Sequence, residues 1–494
     1  MSDAVCAVDL GTSNIKAALV DDTGRILALV RTAVPHESSD FEFDPDGHAD
    51  TLYRLIGELL AGRNHRVAAV SISSQRATVV PIAPDGTPAR PAISWQDNRC
   101  SSAIGRFAER IGPDRFRRIT GLPPSTLWSI AKILWLRENR PDTFRSVSHF
   151  ALLHDYVMLK LGSEGIVADI SNGSLSGMLD LRSSKWSSEV LDLSGIPESK
   201  LPRLVRPGEL IGAVNADAAR ATGLPEGTPL VAGGGDQQCA ALGVGVVDPG
   251  SCGVCLGTVA VISCPVSEPA DSGGGFFCTS HVVPHRWVVE GILNSHGSAL
   301  RWVRALLGAD KAGDLDSLAE GSPPGARGVL FLPFLAGIGS PDFDAGTMGA
   351  LAGLSLSSAP ADIARAALEG VALEIARILD ALRPVVSIDR LTASGGGMAH
   401  RLSNQILADL VGKDVSVCSA VESSLLGAAI LAWTGVGRFV DPAEGARAWP
   451  CAEGEIVRPS LAQSHRDEIY NRYTSWVDAV KNADSRNHGC LLGG

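Results

Sequence analysis

The tripeptide Leu-Gly-Thr stands twice in this chain, as Leu10-Gly11-Thr12 and again half a chain length later as Leu256-Gly257-Thr258. Each copy closes a short apolar run: Ala4-Val5-Cys6-Ala7-Val8 before the first, Cys252-Gly253-Val254-Cys255 before the second. A buried strand that ends in a glycine turn with a hydroxyl side chain presents backbone N–H groups to a phosphate. Two such turns at this spacing point to a duplicated architecture that grips one polyphosphate from both sides. The copies differ at one position: Asp9 precedes the first, and Cys255 holds the matching place in the second. A carboxylate therefore accompanies only the first turn.

The length of 494 residues allows two to four domains, each with its own core. Acidic side chains outnumber basic ones, for a net charge of −11. That excludes nucleic acid as the main partner, since phosphate backbones select basic surfaces. No apolar run reaches the roughly 18 residues that a membrane span needs. Met1-Ser2-Asp3-Ala4 lacks the basic flank of a signal peptide. The ten cysteines are scattered, several of them inside apolar segments (Cys6, Cys239, Cys278, Cys418). Reduced thiols in a cytoplasmic protein fit this better than a disulfide framework. Cys252 and Cys255 form a C-x-x-C without a second Cys/His pair nearby. They are read as two small core residues rather than a zinc site.

Along the chain, residues 4–34 predict a three-stranded meander turned at Asp21-Asp22-Thr23-Gly24. Residues 49–61 carry Leu52, Leu55, Ile56, Leu59 and Leu60 at helical spacing, and strands at 67–73 and 79–84 follow. Residues 101–147 read as helical with a break at Gly121-Leu122-Pro123-Pro124. A strand over 229–232 leads into Gly233-Gly234-Gly235-Asp236, read as a flexible approach to an acid. Later come helices over 294–307, 360–382 and 423–433, and a strand over 391–393 ending in Ser394-Gly395-Gly396-Gly397. Strands and helices alternate in both halves, so the class is α/β with mixed sheets, divided near residues 243–249.

Four segments carry chemistry. In Asp9-Leu10-Gly11-Thr12-Ser13-Asn14-Ile15-Lys16, Gly11 lets backbone approach phosphate, Thr12 and Ser13 add hydroxyls, and Lys16 adds a positive charge. Asp9 sits comfortably beside phosphate only if a cation such as Mg²⁺ intervenes. A plain hairpin with polar residues facing water accounts for the octapeptide equally well. Gly395, Gly396 and Gly397 leave a surface free of side chains, suited to a base or a phosphate. Asp236 follows a strand, where a carboxylate can take a proton from a hydroxyl during phosphoryl transfer, or can simply cap a helix. Gln75, Arg76, Trp95 and Gln237 offer donors and an apolar ring face to a polyol, although Arg76 could instead pair with an acid and Trp95 could merely pack. No G-x-x-x-x-G-K-[S/T] occurs, and no strand-following G-x-G-x-x-G.

In this order, Asp9-Leu10-Gly11-Thr12-Ser13, Gln75-Arg76, Trp95-Gln96-Asp97, Gly235-Asp236-Gln237-Gln238, Leu256-Gly257-Thr258, Gly395-Gly396-Gly397 and Glu422-Ser423 with Gly427-Ala428-Ala429 resemble the FGGY family of carbohydrate kinases, to about residue 440. The resemblance implies two actin-like domains of ribonuclease H type with an interdomain cleft. The expected division is a sugar-binding domain over 1–245, an ATP-binding domain over 246–440, and a tail over 441–494 packed on the second domain. It implies Asp236 as catalytic base and Asp9 as the Mg²⁺ residue. Gly11, Thr12, Ser13, Lys16, Gly257 and Thr258 would meet the ATP phosphates, with Gly395, Gly396 and Gly397 against the nucleoside. Gln75, Arg76, Trp95 and Gln237, with Asp236, would hold the acceptor.

Ser74-Gln75-Arg76, Trp95-Gln96-Asp97 and Asp236-Gln237-Gln238 look like the glycerol kinase branch. Ala77 and Leu127 stand where that branch has Glu and Tyr, which argues against glycerol. The segment around Asp180-Leu181-Arg182 and Lys185-Trp186 is nearer the xylulokinase branch, whose Met-His-Gly is replaced by Arg76-Ala77-Thr78. Gly337-Ile338-Gly339-Ser340-Pro341 departs from the family's Gly-Glu-Arg-Thr-Pro. The expectation is an ATP- and Mg²⁺-dependent kinase, with a second copy of the chain as a candidate partner in a homodimer, acting on a terminal hydroxyl of a ketopentose such as xylulose. Glycerol or another polyol, and a non-catalytic actin-like sensor of sugar or nucleotide, are the alternatives.

Overall fold

The structure is a computed structural model that describes residues 3–34, 41–309, 312–418, 422–449 and 454–490. The first half opens with the meander β1 (Asp3–Leu10), β2 (Asn14–Val20) and β3 (Ile26–Ala33). Helix α1 (Pro45–Leu60) then leads to β4 (Arg66–Ser74), and β5 (Leu210–Ala213) and β6 (Pro229–Gly235) complete the sheet. Among the described residues its order is β5-β6-β4-β1-β2-β3, with β4 parallel to both β1 and β6. The second half repeats the plan with β7 (Gly250–Leu256), β8 (Ala260–Val266), β9 (Phe277–Ser280), β10 (Trp287–Leu293), β11 (Ile388–Ser394), β12 (Val415–Val417) and β13 (Glu455–Val457). Its order is β9-β10-β8-β7-β11-β12-β13. The strand after which each Leu-Gly-Thr turn sits, β1 or β7, pairs antiparallel with the next strand and parallel with a distant one. The two tripeptides are thus the same piece of two like domains.

Strand β1 is apolar on both faces because both are covered, as expected for a strand with a parallel neighbour. Val8, Leu10 and Ile15 share one core with Leu52, Leu55 and Leu59 of α1, while Val5, Ala7 and Val20 share another with residues from the far end of the chain. That second cover comes from helix α2 (Asp236–Gly243), which directly follows β6, and from later helices. The later helices are, in chain order, α3 (Gly297–Leu306), α4 (Pro360–Leu382), α5 (Ser423–Gly435), α6 (Pro442–Ala448) and α7 (Gln463–Cys490), and of these α5 and α6 complete that cover. Helix α4 buries Leu368, Val371 and Ile375 in the core of the second sheet.

Helix α5 is buried almost all round, and its Leu425, Ile430 and Leu431 lie in the core of the first sheet. Gly427 faces the Cys239 carbonyl and Gly243 faces that of Ser423, each too close for a Cβ. This close crossing locks α5 onto α2, whose first residue is Asp236. The expected tail over 441–494 does not lie wholly on the second domain. Phe439, Ala443, Ala446 and Trp449 join the core of the first sheet, because the apolar α5 carries the chain back across the cleft. Ile469, Tyr473 and Val477 of α7 pack in the second core.

A helical insertion (Ser101–Ile111, Pro113–Thr120, Ser129–Asn139) has its own core around Phe107, Phe116, Trp128 and Ile133. The break at Gly121 falls where the glycine and prolines predict it. Gly121 has φ +75° and abuts the Cys278 carbonyl of β9. Its own carbonyl accepts from Cys278 N at 2.9 Å, and Trp287 Nε1 donates to Leu181 O at 2.9 Å. Phe277 of β9 enters the insertion core. The insertion of the first half therefore seats on the edge of the second sheet and closes one end of the cleft.

Candidate active site

A cavity of about 430 Å³ lies between the two sheets. It brings together Thr12 and Ser13 from the first turn, Thr258 from the second, Gln75 and Arg76 at the end of β4, Trp95, and Asp236 and Gln237 at the start of α2. Residues from positions 12 to 258 thus converge, as the duplicated architecture requires. A larger hollow of about 760 Å³, lined by Arg383, Lys413, Arg466 and Tyr470, lies on the outer side of the second domain and contains none of these residues.

The two turns are built alike. Gly11 N donates to Asn14 O and Gly257 N to Val259 O, both at 3.0 Å. A side chain at Gly11 would press on the Asn14 carbonyl at 2.9 Å. In the second turn the carbonyls are already used: Gly297 N donates to Gly257 O at 3.1 Å and Ser298 N to Thr258 O at 3.2 Å, so the N-terminus of α3 holds the turn.

The first turn is wired to the acceptor side. Trp95 Nε1 donates to Thr12 Oγ1 at 3.0 Å, and Thr12 Oγ1 and Thr78 Oγ1 donate to Gln75 Oε1 at 3.3 and 3.2 Å. The buried Lys132 donates to the Trp95 carbonyl at 3.0 Å and to that of Thr126. Burial pushes its ammonium down to about 8.

Asp236 is the first residue of α2, and its Oδ1 accepts from Gln237 N at 2.9 Å. The three preceding glycines are strand residues of β6 rather than a flexible approach. A Cβ at Gly233 would strike the Ile72 carbonyl, one at Gly234 would strike Val282, and one at Gly235 would lie 2.6 Å from Arg76 Cδ. They are small because β4, β6 and Arg76 crowd there.

Arg76 lines the cavity and is ion-paired there. Its Nε is 3.3 Å from Asp236 Oδ1, and one terminal nitrogen is 2.9 Å from each oxygen of Glu290. Glu290, in β10 of the second sheet, is fully buried and also accepts from Gln238 Nε2 at 2.8 Å and Thr279 Oγ1 at 2.7 Å. The structure shows the ion pair that the sequence allowed for Arg76, at a position that lines the cavity. The partner escaped the sequence because nothing near position 76 announces it. Its signal was a lone glutamate within the apolar strand Trp287–Leu293.

Asp9 is half-buried, and its Oδ1 accepts from Ser73 Oγ at 3.2 Å. Desolvation first, and then the charge of Asp236, push its carboxyl up to about 7. A half-buried acid beside a second carboxylate suits a cation, which supplies the missing countercharge. Among the described residues no group of three or more His, Cys, Asp or Glu could hold a metal, so Mg²⁺ here would depend on phosphate oxygens and water for its other ligands. Lys16 does not point free at the phosphate side: its Nζ is 2.6 Å from Glu422 Oε2, at the start of α5.

Gly395 has φ +95°, and a Cβ there would meet the Leu256 carbonyl at 2.7 Å. One at Gly397 would meet His296 and Leu256 at 2.8 Å. Only Gly396 has open space beyond it. Two glycines of the triplet answer to packing and one to an exposed face. Cys252 and Cys255 carry free thiols, with Cys252 buried.

Residues 4–243 match the FGGY family of carbohydrate kinases, N-terminal domain, and residues 254–436 match its C-terminal domain. The chain belongs to the FGGY family of carbohydrate kinases. It is 28% identical over 458 residues to a gluconokinase of Bacillus subtilis strain 168, covering 89% of each chain. It is 30% identical over 509 residues to a glycerol kinase of Leifsonia xyli subsp. xyli, covering 97% of this chain and 99% of that one. The solved xylulose kinase of Rhodospirillum rubrum superposes with a TM-score of 0.88 at 26% identity, over 98% of this chain and all of the other. The FGGY chain is accordingly a phosphotransferase of two actin-like domains. Kinases of this family use ATP, usually with Mg²⁺, and the relatives act on sugars or polyols. No helix among the described residues is long and apolar enough to cross a membrane.

Proposed function

We propose that the protein transfers the γ-phosphoryl group of ATP to a terminal hydroxyl of a small neutral sugar of ketopentose size, such as xylulose, or of a comparable polyol. The observation that carries this reading is the single cavity shared by Asp236, the acceptor-side residues Gln75, Trp95 and Gln237, and the hydroxyls of both Leu-Gly-Thr turns. Asp236 takes the proton of the acceptor hydroxyl as its oxygen bonds to the γ-phosphorus and the bond to ADP breaks. Thr12, Ser13 and Thr258 line the phosphate side, and Gly396 offers its open face to the nucleoside. Asp9 would hold Mg²⁺, which when bound neutralises charge on the phosphates. Holding the acceptor and ATP in one water-poor cleft keeps phosphate from passing to water.

A carboxylate-bearing acceptor such as gluconate is disfavoured. Arg76 is the cation among the residues lining the cavity, and it is already engaged by Asp236 and Glu290. Leu127 and Ala77 offer no polar group to a triol, which counts against glycerol. The test is an ADP-release screen with ATP and Mg²⁺ across pentuloses, polyols and gluconate. Turnover on a neutral ketose or polyol supports the reading, and turnover on gluconate alone sinks it.

A further inference from the structure

The apolar part of the cavity wall belongs to a different part of the fold from Asp236. Leu127, Trp128, Leu175, Phe277 and Ile292 line the cavity; Trp128, Leu175 and Phe277 belong to the buried core of the helical insertion, and the half-buried Leu127 and Ile292 pack against it. Trp128 and Phe277 meet edge to face with ring centroids 5.5 Å apart, and both are nearly fully buried. Trp128 Nε1 is spent on the Pro123 carbonyl at 2.5 Å, so the indole shows the cavity no donor. Ala77, at φ +63°, adds a methyl group. The polar lining comes instead from the strand ends and from α2, and much of it is occupied internally. Gln75 Oε1 accepts from Thr12 and Thr78, Arg76 is paired, and Gln237 Nε2 donates to Asp236 Oδ2 at 3.3 Å.

A molecule with a hydroxyl on every carbon would press at least one of them against this wall without a partner, and burying a polar group unpaired is costly. A methyl or methylene group there would gain from burial instead. Resting on the kinase reading above, we infer that the acceptor is a neutral deoxy sugar or deoxy polyol. Its reacting hydroxyl lies at Asp236, and its deoxygenated end lies against Leu127, Trp128, Phe277 and Ile292.

The experiment uses matched acceptors that differ by one hydroxyl: 1-deoxyxylulose against xylulose, and propane-1,2-diol against glycerol. Each is assayed with ATP and Mg²⁺ on the intact enzyme. The expected result is a kcat/KM for at least one deoxy member about tenfold or more above its hydroxylated partner, the scale of one apolar group in a complementary pocket. Leu127→Gln should move that ratio toward the hydroxylated member. Because the ratio is taken within one enzyme preparation, loss of folded protein cancels. Preference for the hydroxylated member in both pairs overturns the inference and leaves the kinase reading intact. A ratio unmoved by Leu127→Gln overturns the placement of the deoxygenated end. No turnover above the Asp236→Asn background on any acceptor, these four and the screening panel alike, overturns the inference and the kinase reading together.

Discussion

Glu290→Gln is the substitution with the sharpest structural forecast. Glu290 is fully buried, and its two oxygens serve Arg76, Gln238 and Thr279 at 2.7–2.9 Å. Glutamine keeps the shape, removes the charge and turns one acceptor into a donor among donors. Breaking a buried pair by neutralising one partner costs about 3–5 kcal/mol. Arg76 keeps Asp236 as a partner at 3.3 Å, so the lower end, about 3 kcal/mol, applies. Part of that loss appears as reorganisation of the guanidinium around Asp236, the group assigned to take the proton. If most of it falls on the transition state, kcat drops by about 10²-fold, at 1.36 kcal/mol per decade. The assay is steady-state turnover with both substrates varied. KM for ATP should stay within about twofold of the original value, since no contact of Glu290 reaches the Gly396 side. Arg76→Met with Glu290→Leu removes both charges and separates two roles. If the pair only holds the domains together, this double variant regains stability and turnover alike. If it positions Asp236, stability returns and turnover does not. A Glu290→Gln enzyme with kcat within twofold of the original would refute the reasoning.

Other outcomes follow from the same geometry. Asp9 has a folded value of about 7 against an ordinary 3.8, so the folded state holds its proton more tightly than the unfolded chain does. The contribution of Asp9 to stability is therefore fullest below 3.8 and is lost as pH rises from there to 7. Asp9→Asn removes that penalty, so without Mg²⁺ and ATP it should be more stable at pH 8 by at most about 4 kcal/mol, seen as a higher denaturation midpoint, yet inactive. In the glycine triplet, Gly396→Val should leave the melting temperature near its original value and raise KM for ATP. Gly395→Val should lower the melting temperature, because φ +95° and the nearby Leu256 carbonyl exclude a side chain.

Much of this was legible along the chain because it is local or repeated. The two Leu-Gly-Thr turns revealed two like domains before any contact was known, since a strand–glycine turn carries its own signature. Asp236 could be picked out because it follows a glycine run at a strand end. Other features arise only where distant segments meet. Arg76 offered a donor to a polyol or a partner to an acid, and the acid, Glu290, arrives from the distant strand Trp287–Leu293. Gly233, Gly234 and Gly235 looked flexible, but their smallness answers to Ile72, Val282 and Arg76, which sequence spacing does not reveal. Helix α5 is apolar all round, a pattern that says it is buried without saying on which sheet. It lies on the first, and it carries Phe439 to Trp449 with it. Gly337-Ile338-Gly339-Ser340-Pro341 proved to be a brace on β10: Ser340 N donates to Ile292 O at 2.8 Å, and Ser340 Oγ accepts from Ile292 N at 3.0 Å.

The central claim is that Asp236 takes the acceptor's proton in a cleft completed by both domains. It is tested most directly by following the phosphorylated product by ³¹P NMR for the original enzyme and for Asp236→Asn, with ATP affinity measured alongside. The account predicts turnover lower by about 10²–10⁴-fold with ATP binding retained, the range expected for removal of a general base. Product formed by Asp236→Asn at near the original rate would contradict it.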